Sequence, residues 1–127
     1  MPLLPDDKSF THNPYRGNKT AIKVGSFLYN GNCARCHGLQ AISGGFVPDL
    51  REVPFDWDAF FIHRVRHGYK TKMPSFKDAL TQEQIWAIRS YLDKRRYQYL
   101  EKDLSKLYEM AGVEQDTNAS GQGESSP

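Results

Sequence analysis

The stretch "NGNCARCHGLQ", residues 30–40, decides how the rest of the chain is read. It holds both cysteines of the 127-residue chain, Cys33 and Cys36, three positions apart and followed at once by His37. Two thiols and an imidazole packed that closely form a cofactor attachment point, a redox pair, or half of a zinc site. A structural zinc site needs four ligands, yet there is no second cysteine pair, and His12, His63 and His67 are not spaced as in a finger. A thioredoxin-type pair opens a helix after a buried strand, whereas this one follows a helical pattern and no strand pattern precedes it.

The remaining reading is covalent haem attachment, in which each thiol adds across a vinyl group and the next residue supplies an imidazole to the iron. It requires a sixth ligand and helices able to bury a porphyrin. Of the three methionines, Met1 is terminal and Met110 borders a polar tail, while Met73 sits in "KTKMPSF", between two helical patterns. Pro74 disfavours helix at Met73 and sets the direction of that loop, with Phe76 close enough in sequence to pack on the ring. Met73 is therefore expected as the axial ligand opposite His37.

The surrounding pattern is all-α. Asn18 precedes "KTAIKVGSFLYNGN", where Ile22, Gly25 and Tyr29 share one helical face. Glycine inside a helix costs about 1 kcal/mol against alanine, which makes sense where another backbone must come close. "GLQAISGGFVPDLREVP" reads as an irregular loop, and "DWDAFFIHRVRHG" as a helix capped by Asp56 and ended by Gly68. "LTQEQIWAIRSYLDKRR" opens with Thr81 and Gln84 in capping-box spacing, and Ile85, Ile88 and Leu92 recur at helical intervals beside Tyr91. The pattern is expected to run on through Leu100, Leu104 and Leu107 to about Met110. The predicted organisation is an extended arm over 1–14, one domain over 15–97, a helical extension over 98–111 and a disordered acidic tail over 112–127.

Charge divides along the same line. Residues 1–97 carry fifteen Lys and Arg against nine Asp and Glu, and residues 98–127 carry two against six. A net +6 with scattered lysines argues against nucleic acid and fits a docking face for an acidic protein, or a solvated surface. No apolar run approaches membrane-spanning length, so no stable membrane insertion is expected. "MPLLPDD" is not a signal peptide, and any such segment is expected to have been removed before this numbering begins.

Taken in order, these pieces over residues 15–97 resemble the class I c-type cytochromes. In that family a glycine and an aromatic on the first helix pack against an aromatic on the last, positions held here by Gly25, Tyr29 and Tyr91. "VPDL" resembles the proline segment after the haem motif, which implies that the Pro48 carbonyl accepts the His37 Nδ1 proton, fixing the ring and raising its basicity. Arg51 stands where related bacterial members place a propionate partner. The short interval from His37 to Met73 departs from mitochondrial members and implies a more exposed propionate side. "NPYRGN", "CARCHGL", "AISGG" and "PDLR" are similar to small periplasmic cytochromes that accept electrons from PQQ-dependent ethanol dehydrogenases.

The resemblance implies a small all-α cytochrome c fold around one covalent haem c on Cys33 and Cys36, with His37 and Met73 on the iron. It implies a monomeric periplasmic electron carrier and not an enzyme, taking electrons from a PQQ-dependent alcohol dehydrogenase and passing them toward an oxidase. Arg35, Lys70, Lys72 and Lys77 would ring the exposed haem edge. The alternatives are a haem-based ligand sensor or enzyme, or a cytochrome serving another periplasmic oxidoreductase.

Overall fold

Each helix of the protein starts and stops for local chemical reasons, and two of those reasons were not visible in the sequence pattern. The computed structural model describes residues 11–37, 49–69 and 73–111. Helix α1, Lys19–Asn32, begins where the Asn18 side chain accepts from the Ala21 N–H at 2.9 Å, satisfying one of the orphan donors of the first turn. It buries Ala21, Ile22, Gly25 and Tyr29. A Cβ on Gly25 would overlap the Ala87 carbonyl. The two helices therefore meet backbone to backbone at that point, and the Tyr29 and Tyr91 rings, 5.4 Å apart, close the crossing one turn further on.

A single turn, α2 (Ala34–His37), follows α1, and two 3-10 turns, Leu50–Glu52 and Phe55–Trp57, lead into α3, Asp58–His67. Asp56 does not cap this helix, contrary to its position in the sequence. It is exposed within the 3-10 turn, Trp57 occupies the cap position without a side-chain bond, and the helix opens on Asp58, whose carboxylate points inward. Gly68 ends α3 with φ of 73°, the left-handed conformation that favours glycine.

Helix α4, Gln82–Tyr99, carries the expected capping box, with Gln84 N–H donating to Thr81 Oγ1 at 3.2 Å and Thr81 N–H to Gln84 Oε1 at 2.9 Å. It stops at Tyr99 instead of running to Met110. Leu100 closes it, Glu101 takes a positive φ of 57°, and Asp103 caps a separate short helix, α5 (Leu104–Tyr108), by accepting from Ser105 N–H at 3.0 Å. An aspartate that can bond to the backbone two residues on favours a new cap over a continued helix. The turn lets α5 fold back, so that Leu107 is fully buried and its carbonyl lies against Gly17. Among the described residues the only β feature is a bridge between Tyr69 and Met73, and the fold is all-α.

The residues just before α1 are packed into the frame. Asn13, Pro14, Tyr15 and Arg16 are buried, and they close a network of charges behind α4. Asp58 takes both Arg16 Nη2 and Arg89 Nε, the latter at 2.7 Å. Asp93 takes Arg16 Nε at 3.2 Å and Asn13 Nδ2 at 3.0 Å. The Asn13 N–H donates to Asp58 Oδ2 at 2.8 Å, and Arg89 Nη2 donates to the Pro54 carbonyl at 2.7 Å. Two arginines and two aspartates, all at most 2% exposed, balance to zero. Burial holds the Asp93 carboxyl above its ordinary value, against the opposing pull of the Arg89 and Arg16 guanidiniums. The Arg16 guanidinium also lies 3.9 Å from the Phe55 ring centre, and Phe55 stacks on Tyr97.

Candidate functional site

The two-thiol motif continues α1 as nearly unbroken helix. The Cys33 N–H donates to the Tyr29 carbonyl at 2.8 Å and the His37 N–H to the Cys33 carbonyl at 2.9 Å, which places Cys33 and His37 one turn apart on the same face of the chain. Both are half-buried. The backbone of Cys36 belongs to α2, and its side chain and that of Arg35 lie outside the described set.

Met73 reaches the same interior from forty residues away. Its main chain pairs with Tyr69 in both directions, Tyr69 N–H to Met73 O at 2.9 Å and Met73 N–H to Tyr69 O at 3.2 Å. A Cβ on Gly68 would strike the Met73 carbonyl, so only glycine lets the end of α3 sit this close to the loop. Downstream, Phe76 N–H donates to the Val65 carbonyl at 2.9 Å. The loop carrying Met73 is thus tied just beyond the end of α3 at the methionine itself and to the last turn of α3 at Phe76.

Cys33 and Met73 both pack on the buried core, together with Val24, Leu28, Leu50 and Phe76. All six remain only partly covered. Side chains from α1, from the Leu50 turn and from the Met73 loop thus lie against one core without being fully covered, which suits a flat apolar macrocycle that would cover them. The donor set suits it as well: thiols that can add to vinyl groups, an imidazole, and a soft thioether. The residues present fit a haem c.

Arg51 is held before any ligand arrives. Its Nε and Nη2 grip Asp49 at 3.0 and 2.7 Å, and its guanidinium lies 4.4 Å over the Tyr99 ring. The hydrogen bond from Arg51 holds the Asp49 carboxyl below its ordinary value, and the same contact raises Arg51. Tyr99, at the last position of α4, donates to Glu52 at 3.2 Å. The guanidinium is fixed in place, with Nη1 still able to donate to an anion. Pro48, Lys70 and Lys72 lie outside the described residues, and Lys77 is exposed beside the Met73 loop. The sequence reading missed Asp49 and Tyr99 as the residues that orient Arg51, although an Asp two positions before an Arg is a local signal for such a pair.

Among the described residues no helix is long and apolar enough to cross a membrane. Residues 20–92 match the family model described as cytochrome c oxidase, cbb3-type, subunit III. The chain is 46% identical over 86 residues to cytochrome c550 of Pseudomonas aeruginosa, covering 63% of this chain and 59% of that protein. It is 43% identical over 86 residues to the quinohemoprotein alcohol dehydrogenase ADH-IIG of Pseudomonas putida, covering 66% of this chain and 12% of the enzyme. The chain thus spans about three-fifths of the first relative and about an eighth of the second. The solved structure of ADHIIG superposes with a TM-score of 0.63 at 34% identity, over 84% of this chain and 16% of that one. Cytochrome cL of Methylophaga aminisulfidivorans, at 20% identity and a TM-score of 0.56 over 72% of each chain, shares the fold. With a match across more than half of its length, the two-thiol motif and the all-α frame around it, the chain belongs to the cytochrome c family, and its cofactor is one covalently attached haem c.

Proposed function

We propose that this protein is a one-electron carrier of the periplasm, reduced by a PQQ-dependent alcohol dehydrogenase and oxidised by a terminal oxidase. The observation that carries the reading is the meeting of Cys33 and Met73 on one core, with His37 a turn beyond Cys33. In this reading Cys33 and Cys36 would form the thioether links, and His37 and Met73 would ligate the iron. Arg51, oriented by Asp49 and Tyr99, would donate to a propionate, and the Pro48 carbonyl would accept from His37, as the family resemblance implies. Haem c held in this way supplies exchange of a single electron between ferrous and ferric iron.

The chain's own residues decide what else can happen there. Ligation by His37 and Met73 would leave no coordination position open to oxygen or substrate, which favours a carrier over an enzyme or a sensor. The thioether favours the reduced iron and raises the potential relative to a second imidazole. Such a carrier suits a donor upstream of an oxidase. Relatives in both roles support the pairing, since one is named a quinohemoprotein alcohol dehydrogenase and another a cbb3-type cytochrome c oxidase subunit. A quinol that gives up two electrons must meet two molecules of a one-electron carrier, so the encounter must be brief and the carrier is expected to be monomeric.

Brief encounters are favoured by long-range charge attraction over a broad apolar interface. The basic excess of residues 1–97 supports an acidic donor surface. Lys19, Lys23 and Lys94, three of these basic residues, line an open cavity of about 380 Å³ together with Tyr91 and Tyr108. Stopped-flow reduction of the protein by a quinoprotein alcohol dehydrogenase tests the reading. The second-order rate is expected to fall as salt rises, because screening shortens the reach of charge to about 8 Å at physiological ionic strength. Absence of haem reduction by the reduced dehydrogenase would remove this donor.

A further inference from the structure

The exposed face of α3 carries a pair of side chains to which the proposed haem site assigns no part. His63 and His67 stand one turn apart, with ring centres 4.4 Å from each other and planes inclined at 41°. Both are exposed, and among the described residues neither ring is engaged by a hydrogen bond or an ion pair. Imidazoles at this helical spacing share one face and can direct a nitrogen each toward a common point. Bonds of about 2.0 Å from a metal to two adjacent imidazole nitrogens place those nitrogens about 3 Å apart. Rings whose centres are 4.4 Å apart reach that separation by small side-chain rotations.

We propose that His63 and His67 form a surface site for a divalent late transition-metal ion, separate from the haem iron. No cluster of three His, Cys, Asp or Glu side chains comes together among the described residues, so water completes the coordination. Two nitrogens with water in the remaining positions suit Cu²⁺, Ni²⁺ and Zn²⁺, with Cu²⁺ bound most tightly by the general order of divalent affinities.

The helix under the site is rigid, which favours chelation over two independent imidazoles. Phe61, Ile62 and Val65 bury its opposite face. Its last turn is closed by the Gly68 N–H to the Arg64 carbonyl at 2.7 Å. The positive neighbour Arg64 is directed to aromatic partners, 5.0 Å over Phe60 and 4.5 Å over Tyr69, so its charge is drawn along the helix surface. A metal spanning His63 and His67 would clip together the turn to which the Met73 loop is tied, and would therefore stabilise the folded protein in proportion to its occupancy.

The test is a titration of the oxidised holoprotein with Cu²⁺ alone in a non-coordinating buffer, followed by calorimetry and electron paramagnetic resonance. One equivalent is expected to bind with hyperfine coupling to two nitrogens and to raise the thermal midpoint. His63→Gln and His67→Gln are each expected to weaken binding by about tenfold or more, because each removes half of the chelate. His12→Gln, at the exposed histidine beside Thr11, is expected to leave binding unchanged. Wild-type affinity and stoichiometry retained in the His63→Gln/His67→Gln double variant would overturn the proposal, as would the absence of one-to-one binding in the wild type. Both results read the metal site directly and stand whether or not the alcohol dehydrogenase is the donor.

Discussion

The two sides of the helical frame are completed by different means. Behind α4, the Arg16, Arg89, Asp58 and Asp93 network closes on itself, with its charges neutralised inside the protein. On the side of Cys33 and Met73, apolar residues from separate segments are left half-covered. One region is finished by the polypeptide, and the other, in the proposed reading, would be finished by the haem. Stability and function are thus separable. Damage to the charged network should unfold the protein without altering the iron's ligands, and damage at the ligands should change the iron's properties with less effect on the frame.

The largest effect on the frame is expected from Asp58→Ala. It leaves two buried guanidiniums short of a partner, and breaking one side of a buried ion pair costs about 3–5 kcal/mol. Denaturant unfolding checks the loss, and the spectrum of the folded fraction should match the wild type. A spectrum that changed with the stability would show the two regions to be coupled. Leu107→Ala comes next. Leu107 is fully buried where α5 folds back, so about 2–5 kcal/mol should be lost in the same assay. A loss near zero would show that α5 does not hold the frame.

Thr81→Ala removes one half of the α4 capping box and should cost about 1 kcal/mol, again with no change at the iron. The smallest effect is expected at Asp49, whose pKa is held below its ordinary value of 3.8 by Arg51. Its contribution is fully present above that ordinary value and is lost as pH falls through the lower folded value. The stability difference between wild type and Asp49→Asn should therefore be constant near neutral pH and shrink below about pH 4. A difference that grew on acidification would contradict the Arg51–Asp49 pairing.

The apolar side of this division could be read from the sequence, and the charged side could not. Ile85, Ile88, Leu92 and Tyr91 recur at helical spacing, and the structure buries all four. The Thr81 and Gln84 box and the close approach at Gly25 were equally legible, because each depends on residues whose local chemistry has few alternatives. Arg89 and Asp93, one turn apart, carry no local sign that they will be buried. Their burial depends on Asn13, Arg16 and Asp58, brought from distant parts of the chain, and no local pattern announces that a charge will be neutralised from afar. The same limit applies to Asn13 in the expected 1–14 arm, whose burial depends on partners on α3 and α4; residues 1–10 lie outside the described residues. The family was legible from the motif at Cys33, Cys36 and His37, because two thiols and an imidazole within five positions leave few alternative uses. Pro48, Lys70 and Lys72 fall outside the described residues.

The proposed assignment of Met73 to the iron is the central claim, and the near-infrared absorption of the ferric protein tests it most directly. Wild-type protein is expected to show the weak charge-transfer band of a thioether on ferric iron. In Met73→Ala that band should be absent and the reduction potential lower, while mass spectrometry still finds the haem covalently attached through Cys33 and Cys36. A Met73→Ala protein that kept the band and the wild-type potential would show that another residue holds the sixth position.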